Sequence, residues 1–303
     1  MKKNETISIF DIKRFAVHDG PGIRTTLFFK GCSLFCPWCQ NPEGISKTKN
    51  LLFQKSKCIE CHTCVAVCPQ NTIQTSADTK LRIDRVKCDL CGECVKSCPT
   101  EALHFDSKEM TIDEIVSELL KDEVFFSESG GGVTFSGGEP LLQIEAIAEI
   151  SKRLKKHEIH IVVETSLMVP HKNLVKAATF VDLFIVDIKL LDPAKAKDAI
   201  GLDLELYRRN VEFLFANQTE FICRMPLIPG YTNTSGNFKA ITKIINKFNK
   251  KYNRNISVEP INFNPLSKSK YIQLGKELPK VEQWKKFTNE ELKTYHQNLN
   301  HEN

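Results

Sequence analysis

The chain has 303 residues, 41% of them hydrophobic and 26% charged, with a formal net charge of +5. This length suits either one large domain with an insert or two domains of similar size. No run of 18 apolar residues occurs, and the first fifteen residues contain no apolar segment, which argues against a membrane span and a signal peptide. We therefore expect a cytoplasmic protein.

The chain begins with two predicted strands that flank a turn-rich segment. In residues 4–12 apolar and polar side chains alternate sufficiently to predict a first strand, and the apolar run Leu27–Phe29 predicts a short second strand. Between them, the glycines and proline of residues 15–24 suit a backbone that lies close to a ligand or a partner. The loop after the second strand, residues 31–39, carries three cysteines at CxxxCxxC spacing.

The three cysteines of this loop are Cys32, Cys36 and Cys39. Three thiolates can hold three irons of a cubane 4Fe-4S cluster, which usually has four cysteine ligands, so the fourth iron stays open. An open iron can chelate S-adenosylmethionine (SAM) through its amine and carboxylate, next to a sulfonium that one electron can cleave. A zinc knuckle is the alternative, but zinc favours four ligands and this loop offers no fourth.

Residues 19–43, DGPGIRTTLFFKGCSLFCPWCQNPE, resemble the signature of glycyl-radical-enzyme activating enzymes, the radical SAM branch typified by the activase of pyruvate formate-lyase. The resemblance implies that SAM is reductively cleaved to methionine and a 5'-deoxyadenosyl radical, which abstracts hydrogen from a glycine of a partner enzyme. It makes Cys32, Cys36 and Cys39 the catalytic cluster ligands, with Trp38 and Gln40 beside SAM.

Residues 54–105 contain an internal repeat with a period of 30 residues. Each copy has the pattern C-x2-C-x2-C-x3-C-P of bacterial two-cluster ferredoxins, in which the fourth cysteine of each run ligates the other cluster. One predicted 4Fe-4S cluster therefore has the ligands Cys58, Cys61, Cys64 and Cys98, and the other has Cys88, Cys91, Cys94 and Cys68. A zinc ribbon, the alternative, would lack the third cysteine and the trailing proline of each run.

The predicted domain boundaries follow from this repeat. We expect a first part of the core in residues 1–50, a ferredoxin-like α+β insert in 51–106, and the remainder of the core with the C-terminal tail in 107–303. A capping-box pattern at Thr111 and Glu114 opens a helix directly after the insert.

Strands and helices then alternate. The predicted strands are residues 132–136, 160–164, 182–188, 221–226 and 256–260, and the predicted helices are 141–157, 170–178, 202–216 and 237–250. Such alternation implies parallel strands joined by right-handed crossovers, in about six units. A complete TIM barrel would need eight such strand–helix units. The resemblance implies a partial (β/α)6 TIM-like barrel with its site at the carboxyl ends of the strands. A surface helix and a frayed end are expected after Leu274.

Further candidate residues follow the predicted strands. Glycine in Ser136–Pro140 lets the backbone approach a ligand, although a tight strand-to-helix turn explains the same segment. Two opposite charges at the end of the apolar strand FIVDIK belong in a cleft or in a structural ion pair. Through the resemblance, the SAM-binding residues after these strands are Gly138, Glu139, Glu164, Asp187, Ile188, Lys189 and Arg224. The resemblance places Gly138 and Glu139 at the amine of SAM, and Asp187 and Lys189 at its carboxylate end.

Two positions differ from the rest of this pattern. The family often has Asp at the position of Glu164, and often has His where this chain has Asn264, which can form hydrogen bonds but cannot become a cation. We retain Asn264 as a SAM contact. Cys223 is the one cysteine outside the three groups, and a single cysteine within a strand is usually a small core residue.

The expected function is that of a radical SAM activase that contains three 4Fe-4S clusters and works anaerobically. We expect a monomer with a glycyl radical enzyme as substrate and a flavodoxin- or ferredoxin-type electron donor. Thiolate-bound clusters would bring the loaded chain close to neutral, so the formal charge does not indicate a nucleic-acid partner. A radical SAM enzyme for a small molecule and a pure electron-transfer module are the alternatives.

Overall fold

The computed structural model describes residues 6–278 and 286–300. Its strands are β1 (Thr6–Ala16), β2 (Arg24–Phe29), β3 (Leu51–Phe53), β4 (Ile73–Ser76), β5 (Lys80–Ile83), β6 (Leu103–Phe105), β7 (Lys108–Thr111), β8 (Gly132–Gly137), β9 (His160–Thr165), β10 (Leu183–Asp187), β11 (Phe221–Pro226) and β12 (Val258–Ile261). Its α-helices are α1 (Thr63–Ala66), α2 (Glu93–Lys96), α3 (Ile112–Leu120), α4 (Glu123–Ser129), α5 (Ile144–Leu154), α6 (His171–Ala177), α7 (Ala196–Ile200), α8 (Leu204–Ala216), α9 (Ser235–Tyr252), α10 (Lys268–Gln273) and α11 (Asn289–Asn300).

The central sheet has the strand order β12-β11-β10-β9-β8-β2-β1-β7. The strands from β12 to β2 pair in parallel. The other two neighbours are antiparallel, because β1 runs against both β2 and β7. The prediction of an α/β fold with a mostly parallel sheet is therefore confirmed, and six parallel strands are consistent with a partial barrel.

Several elements differ from the predicted ones. Strand β1 continues to Ala16, beyond the predicted end at residue 12, because it forms hydrogen bonds with β2 over this longer range. Strand β7 was missed, since its sequence KEMT shows no apolar alternation. Helix α10 was also missed. A helix after Leu274 is present as α11, while the tail residues 279–285 and 301–303 lie outside the described residues.

The core lies between the sheet and a layer of helices in which α3, α5, α6, α8, α9 and α11 are neighbours in that order. From α5, Ile147, Ile150 and Leu154 are fully buried in the same cluster as Phe135 of β8 and Val163 of β9. Each such side chain contributes about 2 kcal/mol on burial. Within the described residues no helix is both long and apolar enough to cross a membrane.

The predicted capping box is present at the start of α3. Thr111 accepts a hydrogen bond from the Glu114 backbone N–H, and the Glu114 carboxylate accepts from the Thr111 backbone N–H at 2.7 Å. This reciprocal pair satisfies two donors that a helix start would otherwise leave free. It fixes the point at which the chain re-enters the core after the cysteine repeat.

Residues 51–105 form a second, smaller hydrophobic cluster around Leu51, Ile73, Leu81 and Leu103. Two antiparallel pairs, β3–β6 and β4–β5, build it together with the short helices α1 and α2. The 30-residue repeat is visible in the backbone, because three pairs of residues 30 positions apart share left-handed φ angles. These pairs are Glu60 and Leu90, His62 and Gly92, and Asn71 and Glu101.

A buried ion pair joins this smaller cluster to the loop that follows β2. Lys30 Nζ lies 2.6 Å from Asp106 Oδ2, and both side chains are fully buried. The same ammonium donates to the Glu43 carbonyl at 2.6 Å, while Asp106 accepts from the backbone and side-chain nitrogens of Asn50 at 2.8 and 2.6 Å. One pair therefore ties the entry and the exit of residues 51–105 to the start of the cysteine loop.

Removing one member of this pair should be far more damaging than removing both. A buried charge without its partner costs about 3–5 kcal/mol, so we expect Lys30→Met and Asp106→Asn each to lose that much stability. The double variant K30M/D106N should lose clearly less than the sum of the two. Urea unfolding midpoints of the four proteins measure this coupling.

An exposed pair supplies the control. Glu93 and Lys96 lie 2.8 Å apart with 48% and 72% of their side chains exposed, and such surface pairs contribute about 0–1 kcal/mol. Glu93→Gln should therefore change the midpoint little. Strict additivity of the Lys30 and Asp106 effects would contradict the coupling.

Candidate functional site

The loop from Gly31 to Cys39 starts at the carboxyl end of β2 and is held by backbone hydrogen bonds. The N–H groups of Gly31 and Cys32 donate to the carbonyls of Gly44 and Ile45 at 2.8 and 3.0 Å, and Cys39 N–H donates to the Cys36 carbonyl at 3.2 Å. These bonds fold the loop back on itself. All three of its cysteines line the same cavity.

That cavity has a volume of about 600 Å³ and lies beside the carboxyl ends of the parallel strands. This is within the usual range for a small-molecule site. The structure brings together around it the following sequence-predicted residues: Cys32, Cys36, Trp38, Cys39, Gln40, Gly138, Glu164, Asp187, Lys189, Arg224 and Asn264. The cavity lining does not include two other predicted residues, Glu139 and Ile188.

The thiols of the loop are strongly affected by burial. Burial raises the pKa of Cys32 and of Cys36 to about 12, and it also raises the pKa of Cys39. The thiolate forms therefore need a cationic partner, and metal binding would have to release their protons. Three soft donors that line one cavity are chemically suited to an iron–sulfur cluster as the group that supplies this compensation.

Carboxylates and one ammonium face the thiols from the neighbouring strands. Lys189 Nζ donates to Asp187 Oδ2 at 2.7 Å, and 19% and 25% of these side chains are exposed. Burial alone would lower the pKa of Lys189, but the charges of Asp187 and Cys36 raise it. Lys189 is therefore a stable cation, so the site can hold an anionic group beside the thiols.

Glu164 lies one strand away, on β9. Burial, followed by the charge of Asp187, raises the pKa of Glu164 to about 7, while a hydrogen bond from Ser136 Oγ opposes the shift. This carboxyl group therefore changes its charge close to neutral pH. A cationic ligand in the cavity would favour its ionised form.

Glu139 does not line the cavity itself, but its carboxylate is bound by two residues that do, Thr165 and Ser166. Its fully buried carboxylate accepts hydrogen bonds from Thr165 Oγ1 at 2.8 Å and from the backbone N–H and Oγ of Ser166 at 2.9 and 2.7 Å. Burial raises the pKa of this group. The side chain thus fixes the turn after β9 to the turn after β8, and its contact with an ammonium group of a ligand stays a prediction.

Gly138 is needed for close backbone packing. A Cβ atom at this position would lie 2.3 Å from the Gly31 carbonyl oxygen and 2.5 Å from that of Gly44. Neither backbone oxygen can move without breaking the loop. Any side chain at position 138 would therefore displace the cysteine loop.

Arg224 and Asn264 line the cavity but already have protein partners. Arg224 Nη1 donates to the His18 carbonyl at 3.0 Å, and its Nε lies 3.4 Å from Glu259 Oε2. The Asn264 side-chain oxygen accepts from the Leu266 backbone N–H at 3.0 Å. Arg224 thus connects the segment after β1 with the edge strand β12.

Sequence reasoning missed several residues around the loop. Tyr231 packs on Trp38 with ring centroids 4.6 Å apart, and Tyr271 of α10 donates to loop carbonyls. Neither residue belongs to a recognisable motif, so no sequence signal was available. Ser136, which binds Glu164, lies in the segment Ser136–Pro140 but was not predicted as a site residue. Cys223 is buried away from the cavity, as expected of a core residue.

The raised pKa of Glu164 predicts a pH-dependent stability. A carboxyl group whose pKa rises on folding stabilises the fold at low pH and loses this contribution as the pH increases from about 4.5 to about 7. Relative to Glu164→Gln, the ligand-free wild type should lose stability over this range. Urea midpoints at pH 5, 6, 7 and 8 measure the difference.

The control for this comparison is Glu128→Gln, on the exposed side of α4. It should follow the wild type at every pH. Parallel curves for the wild type and Glu164→Gln would show that the Glu164 carboxyl group does not titrate as proposed.

Comparison with known proteins agrees with this geometry. The Radical SAM superfamily profile matches residues 26–235. The benzylsuccinate synthase activating enzyme of Thauera aromatica is 40% identical over 273 residues, covering 88% of this chain and 82% of that protein. The trans-4-hydroxy-L-proline dehydratase activating enzyme of Clostridioides difficile is 37% identical over 286 residues, covering 94% and 90%. The choline trimethylamine-lyase activating enzyme of Oleidesulfovibrio alaskensis is 35% identical over 273 residues, covering 89% and 88%. The chain belongs to the radical SAM superfamily and, within it, to the glycyl-radical-enzyme activating enzymes.

Proposed function

We propose that this chain activates a glycyl radical enzyme by generating a 5'-deoxyadenosyl radical from SAM. The observation that carries the proposal is that Cys32, Cys36 and Cys39 line the same cavity as Glu164 and the Asp187–Lys189 pair. The activating-enzyme relatives, matched over most of their length, support the same reaction.

Each group around the cavity has a role in this proposal. Cys32, Cys36 and Cys39 would hold a 4Fe-4S cluster, which when bound supplies the electron that cleaves the sulfonium. Lys189 offers a cation to the carboxylate of SAM, and the Glu164 carboxylate accepts from its ammonium group.

The remaining predicted contacts complete the SAM site. Trp38, supported from behind by Tyr231, and Gln40 contact the cofactor from the cysteine loop. Gly138, Arg224 and Asn264 line the same cavity. Ile188, which lies between Asp187 and Lys189 in the chain, is buried and stays a predicted contact. Glu139 stays a predicted contact of the SAM amine, as the family resemblance implies, and its carboxylate also accepts hydrogen bonds from Thr165 and Ser166.

We further propose that residues 51–106 form a ferredoxin-like insert with two 4Fe-4S clusters, between core segments 1–50 and 107–303. Two small cavities in this region support the predicted ligand pairing. One is lined by Cys58, Cys61, Cys64 and Cys98, and the other by Cys68, Cys88, Cys91 and Cys94. Each cavity thus combines three cysteines of one repeat with the fourth cysteine of the other.

The partner is proposed at the level of its class. The relatives are named as activating a synthase, a dehydratase and a lyase, and we infer that this chain acts on a glycyl radical enzyme of this broad group. We propose a monomer that works anaerobically in the cytoplasm and receives electrons from a flavodoxin- or ferredoxin-type donor.

The experiment combines the anaerobically reconstituted protein with SAM, dithionite and, in turn, each glycyl radical enzyme encoded in the same genome. We expect 5'-deoxyadenosine together with the doublet resonance of a glycyl radical. Cys36→Ser should abolish both products, because the cluster loses one of three ligands. Chromatography measures 5'-deoxyadenosine, and electron paramagnetic resonance measures the glycyl radical.

The matched control is Cys223→Ala, which removes a cysteine outside the cavity. It should retain both products at close to wild-type yield. Cleavage of SAM by Cys36→Ser at the wild-type rate would refute the proposed site. Cleavage by the wild type with modification of small molecules and no glycyl radical would refute the activase function.

A further inference from the structure

Helix α10 contacts both the cysteine loop and the insert, two segments that lie far from it in the sequence. It follows the edge strand β12, and Tyr271, 5% exposed, points its hydroxyl at the cysteine loop. That hydroxyl lies 3.1 Å from the Pro37 carbonyl oxygen and 3.1 Å from that of Cys39. Because a phenol hydroxyl can donate, it binds the loop at its last cysteine.

A second side chain of α10 strengthens this contact. Lys270 Nζ lies 2.5 Å from Glu43 Oε1 and donates to Asn41 Oδ1 at 2.8 Å. Both acceptors lie just after Cys39 in the chain. The helix therefore holds the second half of the loop at two neighbouring points.

The other end of α10 contacts the ferredoxin-like insert. Arg85 Nη2 donates to the Gln273 carbonyl at 3.1 Å, and Nη1 of the same side chain donates to the Leu51 carbonyl. The Arg85 side chain also lies next to the residues that follow α10, since a Cβ on Gly275 would lie 2.7 Å from Arg85 Nε. One guanidinium group thus bridges α10 and the first strand of the insert.

Arg85 also lies beside one particular set of cysteines, three residues before Cys88. We name Cys68, Cys88, Cys91 and Cys94 the proximal group and Cys58, Cys61, Cys64 and Cys98 the distal group. The cavity of the proximal group is lined by Leu51 and Phe105, a cross-strand pair next to the point where the insert joins the core. The cavity of the distal group is lined by Leu103, whose cross-strand partner Phe53 lies two residues further along β3. Two residues along a strand correspond to about 7 Å, so the proximal group lies nearer the core.

The helix itself depends on these contacts. At six residues, α10 is far too short to be stable in isolation. Its order must come from tertiary packing at its two ends. Loosening either end should therefore loosen the connection as a whole.

We propose that α10 is a strap that positions the proximal group against the cysteine loop, with Tyr271 and Arg85 as positioning residues at its two ends. This rests on the proposed function and adds to it that the electron from a flavodoxin- or ferredoxin-type donor enters through the insert. That electron moves without a proton, and the cleavage of SAM consumes it. The strap governs the distance over which the chain delivers the electron, and not the cleavage itself.

The test uses the reconstituted full-length protein and compares two routes of reduction. Arg85→Met should slow reduction of the loop cluster by reduced flavodoxin about fivefold, while cleavage of SAM driven directly by dithionite stays within about twofold of wild type. Arg85→Lys keeps the positive charge but replaces the guanidinium, which donates in two directions, by a single ammonium group. Its rate of reduction by flavodoxin should therefore lie between those of the wild type and Arg85→Met. Arg82→Met, at an exposed position of β5, is the matched control.

Hydrogen exchange gives a readout that is independent of turnover. Arg85→Met and Tyr271→Phe should each speed exchange in residues 268–275 and 37–41 about fivefold, since each loses hydrogen bonds that restrain the strap. Tyr252→Phe removes a hydroxyl that binds Glu212, remote from the site, and should leave these peptides unchanged.

Three results would be decisive. If Arg85→Met exchanges like Arg82→Met, α10 is not a strap. If exchange increases but the ratio of flavodoxin-driven to dithionite-driven reduction is unchanged, the helix is only structural and the proposal is wrong. If the wild type itself makes no 5'-deoxyadenosine with dithionite, the proposed function fails, whereas the exchange data still decide whether α10 holds the loop.

Discussion

The parallel pairing of β2 with β8 is the constraint on which the site depends. These strands are separated by more than one hundred residues of sequence, yet they pair in register from Arg24 with Gly132 to Phe29 with Gly137. The pairing continues past the strand ends, where the N–H of Gly138 donates to Phe29 and that of Glu139 donates to Gly31, both at 2.8 Å. The cysteine loop and the turn after β8 are thus one connected backbone structure.

This continuity explains the residue types in both segments. Gly138 has no space for a side chain between two carbonyl oxygens, so the loop can approach the turn only because glycine stands there. Glu139 then carries the connection to β9 through Thr165 and Ser166. A substitution in this set would move the thiols relative to Glu164 and Asp187 without touching either.

An intervening segment as long as residues 51–105 could easily disturb such a pairing. It does not, because its two ends meet: the Asp106 N–H donates to the Asn50 carbonyl at 3.0 Å, and Lys30 binds the same aspartate. The chain leaves and re-enters the core at nearly one point. A loop closed at its root transmits little strain to the strands on either side.

The sequence was sufficient for the features that have a local pattern. The cysteine spacings, the alternation of strands and helices, and the capping box at Thr111 each depend on neighbours within a few residues, and the fold class follows from them. Glu164, Asp187 and Lys189 were named through the family resemblance, and they line one cavity because parallel strands end at the same edge of the sheet.

Other features depend on contacts between distant segments and had no local signal. The prediction for Glu139 could not foresee that Thr165 and Ser166 occupy its carboxylate. Strand β7 exists because β1 offers it an edge. Helix α10 is too short for a periodic pattern, and its contacts are with distant segments, Arg85 and the cysteine loop.

The shared left-handed positions in the two halves of the repeat show that residues 54–105 contain the same unit twice. Each cysteine cavity nevertheless draws on both copies, since Cys98 joins the first set and Cys68 the second. A polypeptide with one copy alone would offer an incomplete set of thiols to either cavity. An ancestral half-length unit would therefore have had to associate with an identical molecule, and duplication would have converted that association into a single covalent chain.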